Sequence, residues 1–176
     1  MYKKEGKTAI CPETFTFRKP VVIDGSGMWE LAKATGVLDL NSVYSYLMLC
    51  KYFPETCVVA KTENNKVAGF VTGFCPPEPP RTVFVWQVAV DAAFRGRGLA
   101  LSMLKELLQR DACSGVKYLE TTITPSNEPS RALFTRLAKD TGAPVTVSPC
   151  FPETLFPRGG HEAELLFRIG PFSNIR

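Results

Sequence analysis

Between Thr82 and Arg110 the sequence joins three patterns that leave the fold little freedom. Thr82–Val90, TVFVWQVAV, is β-branched and aromatic, which favours an extended strand. A short turn follows, then Arg95-Gly96-Arg97-Gly98-Leu99-Ala100, then LALSMLKELLQR, whose apolar residues recur at helical spacing. A strand that passes through a glycine-rich loop into a helix aims several backbone N–H groups and the positive helix end at one point, which makes an anion site. Arg95 and Arg97 add charge there, so the ligand implied is a phosphate or pyrophosphate. The competing reading is that Gly-Arg-Gly only turns the chain into its helix. Two phosphate loops do not fit. G-x-x-x-x-G-K-[ST] is absent, and G-x-G-x-x-G meets Leu101 where its third glycine belongs.

Composition narrows the rest. A chain of 176 residues can bury a core of its own, and 45% apolar with 22% charged residues is ordinary for a soluble globular protein. We expect residues 1–13 to be a flexible tail and 14–176 a single domain. A net charge of +4 without charge runs suits small anionic ligands and argues for neither nucleic acid nor membrane. No apolar stretch is long enough to span a bilayer, and MYKKEGKTAICPET lacks the apolar core of a secretory signal. The six cysteines, Cys11, Cys50, Cys57, Cys75, Cys113 and Cys150, form no CxxC pair, which implies structural thiols in a reducing cytoplasm.

Along the chain, TFTFRKPV and VVID suggest one or two strands. SGMWELAKATG is a helix with Ser26 as its cap and Gly36 as its stop, and Asn41 caps a second helix, SVYSYLMLCKYF, ended by Pro54. TCVVAKTE and KVAGFVTGFC read as a hairpin. The helix at Gly98 is expected to run to Gly115. KYLETTIT is a strand, EPSRALFTRLAKD a helix stopped by Gly142, and PVTVS and EAELLFRIG are the last strands. The order β, α, α, β, β, β, α, β, α, β, β gives a mixed α/β sheet.

Arg95-x-x-Gly98-x-Ala100 fits [RQ]-x-x-G-x-[GA], the acyl-CoA signature of the Gcn5-related N-acetyltransferases, the GNAT superfamily, which this segment resembles. A second match, Asn127-x-x-Ser130-x-x-Leu133-Phe134, resembles the family's N-x-x-[AS]-x-x-[LF]-[FY]. The resemblance implies a GNAT fold: a twisted, mostly antiparallel mixed sheet, split between its fourth and fifth strands and flanked by about four helices. It implies that acetyl-CoA lies in the split. Main-chain groups of Val88 and Val90, around Ala89, would pair with the pantetheine amides. Residues 95–100 would take the pyrophosphate, with Asn127 and Ser130 nearby; for Asn127, a plain helix cap is compatible with that role. The motif's last aromatic, Phe134, would also border the cofactor; in the family it is often a tyrosine that protonates the departing thiolate, whereas Phe134 has no hydroxyl.

The strings LDLNSVYSYLMLCKYFPETCVVA, FVWQVAVD, ETTITPSNEPSRALF and HEAELLFRIGP resemble, more narrowly, the L-2,4-diaminobutyrate acetyltransferases of ectoine biosynthesis. This implies direct acetyl transfer in a ternary complex to the 4-amino group of L-2,4-diaminobutyrate, and a homodimer. The alternatives are acetylation of another small diamine or amino acid, or a silent acyl-CoA-binding module. Such an acceptor needs carboxylates for its ammonium groups, a donor for its carboxylate and an aromatic wall. We expect Asp39, Asn41, Trp86 and Glu162 to bind it. Tyr44, His161 and Glu164 are expected to be catalytic, Tyr44 in the role that Phe134 cannot fill. Each has a plain reading too: Asp39 and Asn41 in the turn into a helix, Tyr44 and Trp86 in the core, His161 in a loop. An amine of pKa about 10.4 is only about 0.1% neutral at pH 7.4, a handicap of ~4 kcal/mol, so the site must accept a proton or favour the neutral form. His161-x-x-Glu164 does not suggest a metal, because no cysteine or second histidine joins it.

Overall fold

The computed structural model describes residues 14–156 and 160–173, so the expected tail and Cys11 lie outside the described residues. In chain order the elements are β1 (Thr16–Arg18), α1 (Asp24–Thr35), α2 (Val43–Tyr52), β2 (Val58–Lys61), β3 (Val67–Phe74), β4 (Thr82–Val90), α3 (Leu99–Leu108), β5 (Tyr118–Ile123), α4 (Glu128–Thr141), β6 (Val145–Phe151) and β7 (Glu164–Ile169). They form one seven-stranded sheet, ordered β1-β2-β3-β4-β5-β7-β6. Every pairing is antiparallel except β4 with β5. This is the expected split GNAT sheet with four helices.

Helices cover both faces. On one, α3 sends Leu99, Met103, Leu104, Leu107 and Leu108 inward as one stripe, and with Phe134 and Leu137 of α4 they pack on Val58, Val83, Val85 and Leu119. Each such side chain contributes about 1.5–3 kcal/mol on burial. On the other face, Met28, Leu31, Tyr46 and Cys50 of α1 and α2 pack on Val59, Phe70 and Ala89.

Several element boundaries differ from expectation. VVID is not a strand: Val21 and Val22 lie in a turn, and α1 begins at Asp24 rather than after Ser26, which is exposed in its first turn. The cause is Asp24, whose side chain is 2% exposed. It accepts two bonds from Arg18 (2.6 and 2.9 Å), one from the Val21 N–H (2.9 Å) and one from Lys61 (3.2 Å). Burial opposes its charge, but these partners, Arg18 foremost, hold the carboxyl below its ordinary range. Its stabilisation is therefore present above the unfolded carboxylate pKa, about 3.9, and is lost as pH falls through the lower folded value. Asp24→Asn is expected to destabilise the fold by about 3 kcal/mol, read by urea unfolding at neutral pH, because Lys61 and Arg18 lose their counter-charge.

Ser42, not Asn41, caps α2, its hydroxyl accepting from the Ser45 N–H at 3.3 Å. α3 stops at Leu108, and the expected continuation to Gly115 is instead a tight turn at Asp111–Cys113. β6 extends past Ser148 to Phe151. β7 opens at Glu164, which leaves His161 and Glu162 in the loop before it. Cys50, Cys57 and Cys113 are buried, as expected of structural thiols.

Candidate active site

The site begins where β4 and β5 part. They pair only through Thr82–Phe84 and Tyr118–Glu120, while β4 runs six residues further, to Val90. The divergence starts at a β-bulge. Against β3, Thr72 faces Gln87 and the next residue, Gly73, faces Val85, so Trp86 is the extra residue. A bulge bends and twists its strand and reverses the alternation of faces. Accordingly Val83 and Val85, then Val88 and Val90, share the α3 side, while Ala89 packs on the α1 side. Trp86 is 42% exposed, which removes the plain core reading for it.

The same register directs the backbone. Asp91 N donates to Ala68 O at 2.8 Å, so the alternate residues Asp91, Ala89 and Gln87 face β3. The main-chain groups of Val88 and Val90 are turned toward the side that β5 has left. Ala89, expected beside them, differs: it is 3% exposed and committed to β3. The Val90 carbonyl accepts from Arg95 Nε at 3.2 Å.

Beyond β4, Asp91 anchors the turn into α3. Its carboxylate accepts from Ala93 N at 3.0 Å and pairs with Lys66 at 2.7 Å. Gly96 and Gly98 have φ of 75° and 76°, left-handed values that a side chain would strain although there is room for one. Gly98 is the N-cap of α3 and has no side chain to satisfy the first N–H groups, which leaves them to a ligand or water. Arg97 lies over the Phe94 ring at 5.7 Å. Leu99 is in the core and Ala100 half-buried, so Leu99 can serve an anion only through its backbone.

Asn127 is the N-cap of α4, its Oδ1 accepting from the Ser130 N–H at 3.1 Å. Both residues are half-buried. Phe134, expected near the cofactor, is 2% exposed within the main core and has almost no surface to offer a ligand. It belongs to packing.

At the acceptor end, distant segments converge. His161 Nδ1 lies 2.7 Å from the Glu162 carbonyl, and Nε2 lies 3.3 Å from Asp39 Oδ2 and 3.7 Å from Glu164 Oε1. A carbonyl only accepts, so Nδ1 carries the proton and the neutral ring presents a lone pair at Nε2. The Glu162 hydrogen bond, with the Asp39 and Glu164 charges, holds the imidazole pKa above its ordinary value, against a smaller effect of burial. The Phe156 ring stacks on His161 at 3.9 Å and 14°. Glu164 Oε2 is buried and has no hydrogen-bond partner among the described residues. A buried carboxylate oxygen in that condition is costly to leave bare and awaits a donor. Glu162 points elsewhere, its Oε1 against Ser126 Oγ before α4.

The structure thus joins Asp39, His161 and Glu164, which 122 residues separate at the extremes of the first contact. Asn41 sits beside them with its carbonyl bound by Trp29 Nε1 at 3.0 Å. Tyr44 is 68% exposed on the first turn of α2, which excludes its core reading. Sequence reasoning missed Gln87, Tyr46 and Phe156. Tyr46 OH donates to Gln87 Oε1 at 2.9 Å, and Gln87 Nε2 donates to the Asp39 carbonyl at 2.9 Å. One signal was present: an amide in the middle of an otherwise apolar strand needs buried partners. Burial pushes the Cys50 and Cys57 thiols up to about 12 and about 11, which disfavours either as a nucleophile. Among the described residues no group of three or more metal-ligating side chains could hold an ion.

A split sheet, an uncapped helix behind a glycine-rich loop and a carboxylate–imidazole cluster across the gap define an acyl-CoA-dependent acyltransferase. The chain belongs to the GNAT acetyltransferase family, which matches residues 27–138. Within it, the chain is 59% identical over 161 residues to the L-2,4-diaminobutyric acid acetyltransferase of Marinococcus halophilus, covering 92% of each chain. It is 56% identical over 158 residues to that of Halalkalibacterium halodurans, covering 90% of this chain and 82% of the other. Its structure matches that of the diaminobutyrate acetyltransferase EctA from Paenibacillus lautus, in complex with L-2,4-diaminobutyric acid and coenzyme A. That match has a TM-score of 0.88 and 44% identity and covers 93% of this chain and 98% of the other.

Proposed function

We propose that this protein transfers the acetyl group of acetyl-CoA to the 4-amino group of L-2,4-diaminobutyrate, giving N4-acetyl-L-2,4-diaminobutyrate for ectoine biosynthesis. The observation that carries the reading is the near full-length match to the Paenibacillus lautus enzyme, which is held with that amino acid and coenzyme A.

The donor half of the mechanism rests on main chain and charge. Val88 and Val90 pair with the pantetheine amides as an added strand would. The N–H groups from Gly96 to Ala100 and the two arginines take the pyrophosphate, and Asn127 and Ser130 border it at the start of α4. Arg95 exchanges the Val90 carbonyl for a phosphate oxygen and thereby frees that carbonyl for the cofactor. Arg95→Ala is expected to raise KM for acetyl-CoA about tenfold and leave KM for diaminobutyrate near wild type, measured by initial rates.

In the acceptor half, Glu164 Oε2 receives an ammonium group of diaminobutyrate. Asp39 supplies negative charge beside it, Asn41 a polar contact and Trp86 an aromatic wall worth roughly 0.5–2 kcal/mol to a cation; Glu162, turned onto Ser126, takes no part through its side chain. His161 Nε2 takes a proton from the 4-ammonium, and Asp39 stabilises the imidazolium. The freed lone pair attacks the thioester carbon, whose oxygen turns toward the N–H of Val88. The C–N bond forms and the C–S bond breaks; the attacking nitrogen gives up its second proton, which passes through the Tyr44 hydroxyl to the coenzyme A thiolate, and the proton held by His161 is released to solvent. The transfer is direct, so initial-rate lines intersect. Residues 14–176 act as the one catalytic domain, as a homodimer in the cytoplasm. No helix among the described residues is long and apolar enough to cross a membrane.

Two-dimensional NMR of the product tests the reading. The acetyl carbonyl is expected to correlate with the methylene protons beside N4. Correlation with the α-proton would place the acetyl group on the wrong nitrogen and refute it.

A further inference from the structure

We infer that Gln87 is a positioning residue that holds the Asp39 loop at a fixed height above β4 and so sets the length of acceptor the site accepts. This rests on the acceptor reading above and deepens it.

The Asp39 side chain is 82% exposed, and its contact with His161 at 3.3 Å is made from a short loop between α1 and α2. Burial anchors that loop only on one side of Asp39, where Leu38 packs on the α1–α2 core; Val37 is 84% and Leu40 46% exposed. Main-chain ties fix the rest. Trp29 Nε1 holds the Asn41 carbonyl at 3.0 Å, and Gln87 Nε2 holds the carbonyl of Asp39 itself at 2.9 Å.

Gln87 is suited to the task. It is 6% exposed and immediately follows the Trp86 bulge. Its own N–H donates to Thr72 Oγ1 at 3.1 Å, which ties its backbone to β3. Its amide has one workable orientation. The Asp39 carbonyl can only accept, so Nε2 must face it, and Oε1 must then accept from Tyr46, whose ring is 1% exposed in the α1–α2 core. The Tyr46 hydroxyl therefore locks the amide, and the amide locks the loop. The strand that holds the loop also carries Trp86 on one side of Gln87 and Val88, directed at the acyl donor, on the other. One residue thus relates the wall of the acceptor pocket, the place of acetyl transfer and the Asp39–His161 pair. A chain longer by one methylene reaches past that spacing, and one methylene is commonly worth about 10–200-fold in discrimination.

The test compares wild type with Gln87→Met, Gln87→Glu and Tyr46→Phe on diaminobutyrate and ornithine. Gln87→Met keeps the side-chain length without the amide. Gln87→Glu keeps an acceptor for Tyr46 and loses the donor to Asp39. Both are expected to raise KM for diaminobutyrate about tenfold or more and to cut the diaminobutyrate-to-ornithine ratio of kcat/KM about tenfold, with KM for acetyl-CoA within about twofold of wild type. Tyr46→Phe should shift the same ratio in the same direction by less. A variant that merely loosens the core moves both KM values together, and that outcome, or an unchanged selectivity ratio, overturns the inference. If Gln87→Glu fails to fold, Gln87→Met and Tyr46→Phe decide the matter. Wild type is measured first. If it does not use diaminobutyrate the functional reading fails by itself, and Gln87 is judged by the same ratio on the amine that wild type prefers against its next higher homologue.

Discussion

Glu164→Gln is expected to raise KM for diaminobutyrate about 10- to 100-fold and to leave KM for acetyl-CoA near wild type. The reason is local. Glu164 Oε2 is buried and has no partner of its own among the described residues, while Oε1 lies 3.7 Å from His161 Nε2. An ammonium group is the donor that such an oxygen lacks, and a charge-assisted hydrogen bond of this kind contributes about 1.5–3 kcal/mol. Glutamine keeps the shape, removes the charge and can present an N–H where the ammonium would sit. Initial rates with each substrate varied in turn read the two KM values separately. A KM unchanged for diaminobutyrate would move its ammonium group away from Glu164.

The second large effect is at His161. Its neutral ring presents the Nε2 lone pair because Nδ1 is engaged by the Glu162 carbonyl, and Asp39 and Glu164 stand ready to stabilise the cation that proton transfer makes. A positioned base of this sort typically contributes about 10²–10⁴ in rate. His161→Gln is expected to lower kcat roughly 100-fold or more. The pH profile supplies the sign. The imidazole pKa is raised, so the base is lost by protonation as pH falls through a value above the ordinary histidine pKa of about 6.5. The acid limb of kcat/KM should therefore lie above that value in wild type. Asp39→Asn withdraws one of the charges that raise it and should move the limb to lower pH. A limb that stays in place in Asp39→Asn would separate Asp39 from the proton transfer.

Much of this arrangement was legible before any coordinates. The β4–loop–α3 unit was visible because its periodicity changes abruptly and because two glycines flank an arginine; both glycines do take left-handed φ. Gly36 and Gly142 ended their helices as expected, again through left-handed caps. What failed were boundaries set by long-range partners. No local pattern shows that Asp24 will be claimed by Arg18 and Lys61, so the strand propensity of VVID prevailed over a turn that only tertiary ion pairs create. Asn41 and Ser42 are both good caps, and the geometry chose the one whose hydroxyl meets the Ser45 N–H.

The acceptor site was legible only as an assembly of types. A regular strand would send positions 161 and 164 to opposite faces; the two side chains meet because the strand begins at Glu164 and the loop swings His161 back. Phe156 stacks on that imidazole from the connection between β6 and β7, where no periodic pattern marks a role for it. The bulge at Trp86 was invisible, since TVFVWQVAV alternates no differently from an unbroken strand; Gln87 stood out as a lone amide there, but nothing local named its partners Tyr46 and Asp39. Phe134 shows the opposite error: a motif position read for its ligand role serves the core.

The most direct test of the account is the rate of free coenzyme A release by wild-type protein with acetyl-CoA and, in turn, L-2,4-diaminobutyrate, ornithine, lysine and putrescine. Saturable turnover is expected with diaminobutyrate, at a kcat/KM at least about tenfold above ornithine, as one methylene allows, with lysine and putrescine lower still. A preference for ornithine, or no turnover with any of the four, would contradict it.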